Sequence, residues 1–391
     1  MIPITKPIPI TKPWIDEHEA DAARRAILSG WITQGPEVAG FEREFAESVN
    51  ARYACAVSNC TTALHLALLA AGVGPGDEVI TVSHSFIATA NSIRYCGAIP
   101  VFVDICTDTF NLDADQVEAA ITSSTRAILC VHQMGMPCEL SRLVAIAQKH
   151  GLPLIEDAAC AIGSEVLWNG GWERIGKPHG DVACFSFHPR KIVSTGDGGM
   201  LTTRHREWDE KFRLWRQHGM SISDAARHAS TRVVFEEYAE LGFNYRMTDI
   251  QAAVGREQLK RLPQVVARRR ELASAYREAL KDVPHLELPT EPAWARSNWQ
   301  SFCVRVPQDL DRGQVMQMLL ERGIATRRGI MCAHREPAYR TQPWRSAGLL
   351  HHSEEAQDTG LILPLYPQMD ENDQAAVISE LKQALAAECV C

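Results

Sequence analysis

From Ala54 onward, short apolar runs of strand character alternate with stretches of helical periodicity, and this alternation constrains the fold more than any other feature of the chain. Segments 78–82, 100–104, 127–132 and 152–157 read as strands. Around them, 61–69, 88–95, 113–121 and 140–150 read as helices. A repeated strand–helix–strand unit returns each crossover helix over a parallel partner strand. The expected core is therefore a mostly parallel sheet covered on both faces. Ligands in such sheets bind beyond the carboxyl ends of the strands, and both Asp157 and the turn at Thr61 fit that rule.

The rest of the chain divides around this core. Residues 1–14 carry a doubled Ile-Pro-Ile-Thr-Lys-Pro segment, from Ile2 and again from Ile8. Its prolines forbid helix and predict an extended arm, with the first copy redundant. Helical periodicity over 15–30 and 37–48 opens a large domain expected to span 15–255. A long charged helix, 249–281, carries an apolar stripe at Ala252, Ala253, Val254, Leu259, Leu262 and Val265. It leads into a smaller α+β domain, giving a second unit over 256–391. That unit contains strands at 299–306 and 360–364 and helices at 312–322 and 374–387. A length of 391 residues suits two such domains.

Composition removes several function classes. The net charge is −8 with Lys and Arg scattered, so no nucleic-acid partner is expected. The cluster Arg268-Arg269-Arg270 reads as a solvated helix face. No run of about eighteen apolar residues spans a bilayer, and no secretory signal opens the chain, so the expectation is a cytoplasmic protein without a membrane partner. Twelve cysteines show no metal spacing and no C-x-x-C pair. They read as reduced, mostly buried thiols, with no metal site and with Cys389 and Cys391 exposed at the end.

The chemistry centres on Lys191. The apolar run Asp181-Val182-Ala183-Cys184-Phe185-Ser186-Phe187 delivers it to a turn, His188-Pro189-Arg190-Lys191. The stretch Gly196-Asp197-Gly198-Gly199 then returns the chain to a second apolar run. Upstream, Leu152-Pro153-Leu154-Ile155-Glu156-Asp157 is a buried strand ending in an acid. A lysine and an aspartate at strand ends are what pyridoxal 5'-phosphate (PLP) needs. The amine forms the Schiff base, and the acid keeps the pyridine nitrogen protonated so that the ring can accept electrons. In isolation such a lysine is a surface residue, and Asp157 before Ala158-Ala159 is an ordinary helix cap.

These segments resemble the DegT/StrS family of fold type I PLP enzymes, mostly sugar-nucleotide aminotransferases. The likeness begins at Leu28-Ser29-Gly30-Trp31-Ile32-Thr33-Gln34-Gly35-Pro36 and continues through Val57-Ser58-Asn59-Cys60-Thr61-Thr62-Ala63-Leu64. It includes Gly76-Asp77-Glu78-Val79, Phe86-Ile87-Ala88-Thr89-Ala90-Asn91, the Asp157 and Lys191 segments, and Gly242-Phe243-Asn244-Tyr245-Arg246-Met247-Thr248-Asp249. The resemblance implies catalytic Lys191 and Asp157. It implies cofactor contacts from Cys60, Thr61, Phe86 (stacked on the ring), Cys160, Ser186 and Asn244. Asn244 is expected to reach the phosphate of the neighbouring subunit, which makes the expected enzyme a homodimer with shared sites. Cys160 departs from the family's usual glutamine, and a thiol is a poorer donor. Substrate contacts are expected from Trp31, Thr33, His188, His334 and Arg327, with His132 and Arg328 as further candidates. A structural histidine is the plainer reading of His132, His188 and His334, and a solvated pair is an equal alternative for Arg327 and Arg328.

The implied reaction moves an amino group from an amino acid, L-glutamate, to a keto-sugar linked to a nucleotide. A keto-inositol or other cyclic ketone is an alternative acceptor. A PLP-dependent sugar dehydratase is disfavoured because such relatives carry histidine where Lys191 stands. An NAD-dependent oxidoreductase would need G-x-G-x-x-G after the early strand, which leads instead into Ser58-Asn59-Cys60-Thr61.

Overall fold

A computed structural model describes residues 6–222, 227 and 230–388. The first residues of the doubled arm and the Cys389–Cys391 end lie outside the described residues. Two helices open the large domain, α1 (Glu17–Leu28) and α2 (Pro36–Val49). Strands and helices then alternate as expected: β1 (Tyr53–Val57), α3 (Cys60–Ala70), β2 (Glu78–Val82), α4 (Ala88–Tyr95), β3 (Ile99–Val103), α5 (Ala114–Ala120), β4 (Thr125–Val131), α6 (Leu140–His150) and β5 (Leu154–Asp157). A hairpin, β6 (Glu165–Trp168) and β7 (Gly171–Arg174), precedes β8 (Val182–Ser186), β9 (Gly199–Thr203) and α7 (Arg206–Trp215). The long helix α8 (Asp249–Leu280) follows, then β10 (Ala295–Arg296), β11 (Phe302–Arg305), β12 (Arg327–Arg328), β13 (Arg345–Ser346) and β14 (Gly360–Leu363).

The main sheet has the order β1-β9-β8-β5-β4-β2-β3-β13. All neighbouring pairs are parallel except the two made by β9, which runs against β8 and β1. The connection from β8 to β9, residues 187–198, contains no helix to carry the chain across the sheet, and the chain folds back antiparallel. On one face, Phe41 and Phe45 of α2 pack on Phe185 and Phe187. On the other, Leu64, Leu66 and Leu68 of α3 cover Val57, Leu129, Ile155 and Leu201. The hairpin turn Asn169-Gly170 has positive φ at both residues (49° and 83°), the two-residue turn that Asn-Gly favours. Asn169-Gly170 is thus the local sequence signal of this hairpin.

Helix α8 contributes to two hydrophobic cores. Leu259, Leu262 and Val265 belong to the large core, whereas Leu272, Ala273, Tyr276 and Leu280 belong to the small one. The arm is part of the small domain: Ile8 is buried, with its amide on Gly323 O and its carbonyl accepting Ala325 N. Conversely, β13 from the C-terminal half pairs with β3 in the main sheet.

The arginine cluster corrects the expectation of a solvated face. Arg269 is only 4% exposed, and it donates to Trp299 O (2.8 Å) and Gln300 O (2.5 Å). Arg268 and Arg270 donate to Met369 O and Ser297 O. The cluster clamps the small domain's carbonyls to the connecting helix, because a guanidinium satisfies several acceptors at once.

Candidate active site

The strand β5 places two adjacent acids on opposite faces of the sheet, as its two-residue period requires. Glu156 accepts His179 N (3.0 Å) and Gly180 N (2.8 Å) and faces His132 Nε2 at 3.1 Å. Burial would raise its pKa, but these partners hold it below the ordinary carboxylate value. His132 is fully buried, and its Nδ1 accepts Cys138 N at 2.9 Å. The expectation that His132 contacts substrate is therefore corrected: both ring nitrogens serve the fold.

Asp157 takes the other face. Its Oδ2 accepts Thr89 Oγ1 at 2.8 Å, and its Oδ1 accepts Ala159 N at 3.2 Å. Burial pushes its pKa up against the opposing effects of Thr89, Ala159, Lys191 and His132. Such an acid favours a cationic partner that restores its charge balance.

Lys191 stands on the turn after β8, the neighbour of β5, with its amide on His188 O at 2.8 Å. Its Nζ donates to Cys160 Sγ at 3.0 Å. The unusual thiol is therefore within reach of the amine. Asn298, buried in the small domain, sets this stretch by donating to Cys160 O and Ile162 O, both at 2.8 Å. No sequence signal marked Asn298 or Thr89 for these roles, although Thr89 lies inside a segment that carried the resemblance.

The N-terminus of α3 adjoins this pair. Asn59 caps the helix by accepting Thr62 N at 2.9 Å, while Thr62 Oγ1 accepts Asn59 N at 3.3 Å. The first two amides, of Cys60 and Thr61, have no acceptor within the helix and are suited to an anion. Gly199 permits the approach of β9: a Cβ there would lie 2.5 Å from the Asn59 carbonyl and 2.8 Å from Cys60 N. Cys60 is buried, and that burial keeps its thiol neutral well above the usual range. Ser186 closes β8 with its hydroxyl accepting His188 N at 3.4 Å. Phe86, just before α4, is 58% exposed, which fits a ring reserved for a ligand better than a core residue.

The other expected residues are placed as follows. Trp31 and Thr33 lie on the loop before α2, where Trp31 Nε1 donates to Gln34 O and Thr33 O accepts Asp249 N. Asp249, for which no role was expected, anchors that loop by accepting Gly35, Glu37 and Val38 amides. His188 is half-buried, and burial with the charges of Arg190 and Lys191 lowers its pKa. Arg327 is exposed on β12. Arg328 pairs with Glu336 at 3.2 Å. His334 is committed to Ser83 Oγ (2.7 Å) and Glu354 Oε1 (3.0 Å), so both its nitrogens are spent within the protein.

Asn244 is exposed between Phe243 and Tyr245, whose rings stack at 4.8 Å. Tyr245 O accepts Ser58 N (2.8 Å), and Tyr245 Oη meets His65 Nδ1 (3.1 Å) on α3. Arg216 O accepts Tyr245 N, and the Arg216 side chain is itself held by Glu42 and Ala56 O. The loop that carries Asn244 is thus fastened to the turn before α3.

The model of the DegT/DnrJ/EryC1/StrS aminotransferase family matches residues 13–382. The chain belongs to this family. The DegT/DnrJ/EryC1/StrS enzymes are PLP-dependent, and the chain is a transaminase with their α/β fold. It is 37% identical over 379 residues to the spore coat polysaccharide biosynthesis protein SpsC of Bacillus subtilis (strain 168), covering 96% of each chain. Among solved structures it is similar to the aminotransferase TlmJ of Streptoalloteichus hindustanus, with 35% identity and a TM-score of 0.88 over 97% of this chain and 99% of that one. It is similar also to DesI, whose structure was determined in the presence of its TDP-sugar product. There the identity is 32% and the TM-score 0.87, over 100% of this chain and 96% of DesI. The residues present fit PLP: a buried acid for the ring nitrogen, an amine next to it, and unpaired helix amides for the phosphate.

Proposed function

We propose that this sugar aminotransferase takes its amino group from L-glutamate and delivers it to a nucleotide-linked keto-sugar. One observation supports the reading: Lys191 and the buried Asp157 lie at or past the carboxyl ends of two adjacent parallel strands, close enough for the lysine's charge to act on the acid, and Cys60 at the start of α3 feels both charges. Bound PLP supplies an electron sink next to the donor's Cα. Asp157 keeps the pyridine nitrogen protonated. Lys191 anchors the cofactor, then carries a proton away from Cα as a base of matched position. Cys160 Sγ orients the amine. The amides of Cys60 and Thr61, with the Thr61 and Ser186 hydroxyls, hold the phosphate, and Phe86 covers the ring. Trp31, Thr33, His188 and Arg327 are the residues proposed to meet the substrate. The nucleotide linkage is supported by the likeness to DesI and the polysaccharide setting of SpsC.

Charging the PLP-loaded protein with L-glutamate and then adding candidate acceptors tests this. A nucleotide-linked keto-sugar should restore the cofactor's original absorption. If only a keto-inositol restores it, the acceptor assignment is wrong.

The working unit is proposed to be a cytoplasmic homodimer in which Asn244 of the partner subunit reaches the phosphate. Supporting it, Asn244 is exposed and the segment before it exposes Val233, Phe235, Tyr238 and Leu241, the last to 95%. An apolar strip of this kind suits a covered surface. Subunit exchange between Lys191→Ala and Asn244→Ala chains should restore activity toward half of a native dimer's. In the mixed dimer, one site has its own Lys191 and the neighbour's Asn244. No recovery, given proven exchange and a severe Asn244→Ala defect, would show that Asn244 serves its own chain.

A further inference from the structure

Asp157 is served by a two-hydroxyl relay. Thr89 Oγ1 lies 2.8 Å from Asp157 Oδ2 and 2.7 Å from Ser85 Oγ. Thr89 and Ser85 are both buried, 1% and 3% exposed. A threonine hydroxyl has one proton. Facing an ionised carboxylate, Thr89 must spend that proton on Asp157, so Ser85 must donate to Thr89. Were Asp157 protonated on Oδ2, it would donate to Thr89 Oγ1, and the bond between them would reverse. The sense of that bond is therefore set by the charge on Asp157.

The fold delivers the two hydroxyls together. Ser85 ends the segment that follows β2, with its amide on Ser83 O and Met331 O. Thr89 lies one residue into α4, and the turn before that helix brings the Ser85 hydroxyl back onto it. Hydrogen bonds to a charged acceptor are stronger than neutral ones, and here they oppose the burial that disfavours the charge.

We infer that Thr89, supported by Ser85, is a positioning residue that holds Asp157 ionised and aimed at the cofactor's ring nitrogen. The inference rests on the proposed pyridine-nitrogen role of Asp157. The other titratable groups around Asp157 are Lys191, His132 and the neighbouring Glu156, with the thiols of Cys60, Cys130 and Cys184. None of these supplies a hydroxyl donor to Oδ2.

Thr89→Val keeps the branched shape and removes the donor. Two quantities are read against pH: the dissociation constant of PLP from the cofactor-free protein, by fluorescence titration, and kcat of the loaded enzyme. Asp157 loses a partner that favours its charged form, so the acid midpoint of both should move upward by about one pH unit, a tenfold change. KM for the amino donor should change little. Thr89→Ser retains the hydroxyl and should return the midpoint to its wild-type place. If Thr89→Val lowers only the melting temperature and leaves the midpoint unmoved, the hydroxyl merely packs and the inference is overturned. A midpoint that stays displaced in Thr89→Ser overturns it as well. Should Thr89→Val fail to fold, Ser85→Ala carries the test. Its shift should be smaller and in the same direction, and an unmoved midpoint counts against the relay. Failure of the wild-type chain to bind PLP through Lys191 would be a separate result, one that removes the active-site reading itself.

Discussion

Lys191→Ala should lower turnover by roughly 10⁴-fold, the upper end of what a positioned proton-transfer group contributes. The reason lies in the site's inventory. Lys191 is the amine that meets Cys160 at 3.0 Å, and its charge acts on the buried Asp157. His188, the imidazole on the same turn, accepts Arg190 N at its Nδ1, and its pKa is lowered by burial and adjacent cations. It has neither the position nor the basicity to replace the amine. The variant should still hold PLP, because the α3 amides and the Thr61 and Ser186 hydroxyls remain. Borohydride treatment of the wild-type protein, followed by peptide mapping, should place the cofactor on Lys191. A label on any other lysine, or a variant that keeps more than about one per cent of native turnover, would remove Lys191 from the role on the scale used for such groups.

Asp157→Asn comes next in expected effect. Asparagine preserves the size of the side chain, but its single oxygen can take the place of only one of the two carboxylate oxygens that accept from Thr89 and Ala159. It cannot carry the charge that stabilises a protonated ring nitrogen. An opposite charge at hydrogen-bond range shifts a pKa by roughly 1–3 units. Each unit is worth about 1.4 kcal/mol, or a factor of ten. Single-turnover rates should therefore fall between about 10-fold and 1000-fold, whereas cofactor occupancy should fall much less, since the phosphate contacts are untouched. The contrast with Thr89→Val is informative. Removing the charge lowers the rate at every pH, whereas removing the donor mainly moves the acid limb. An Asp157→Asn enzyme with native single-turnover rates at full occupancy would refute the assignment.

Local periodicity was enough to reveal the architecture. Strand β2 and helix α4 lie at the positions read from the sequence, 78–82 and 88–95. The alternation led to a mostly parallel sheet, which the strand order bears out. Lys191 and Asp157 were legible because each terminates an apolar run, and chain-local signals mark such ends well. Helix α7 has an apolar stripe, Trp208, Phe212 and Trp215, at helical spacing, yet it is short and strongly charged, and of its ten residues only Asp209 and Phe212 are buried. Strands of two residues, such as β13, have no period to detect and exist only because a distant strand pairs with them.

What the sequence by itself determined was the class of fold and the order of its elements, and it singled out Lys191 and Asp157 as the residues proposed for the chemistry. Only the tertiary structure decided which groups surround them. It turned Glu156 toward His132 and Asp157 toward Thr89, and it brought Cys160 to Lys191 across 31 positions of chain. It placed Asn298 behind Cys160 and withdrew His132 and His334 into the scaffold. Periodicity is a property of neighbours along the chain, whereas a hydrogen-bonded site joins residues through the way whole elements pack. Thr89 and Asp157 are 68 residues apart, and no local pattern contains both.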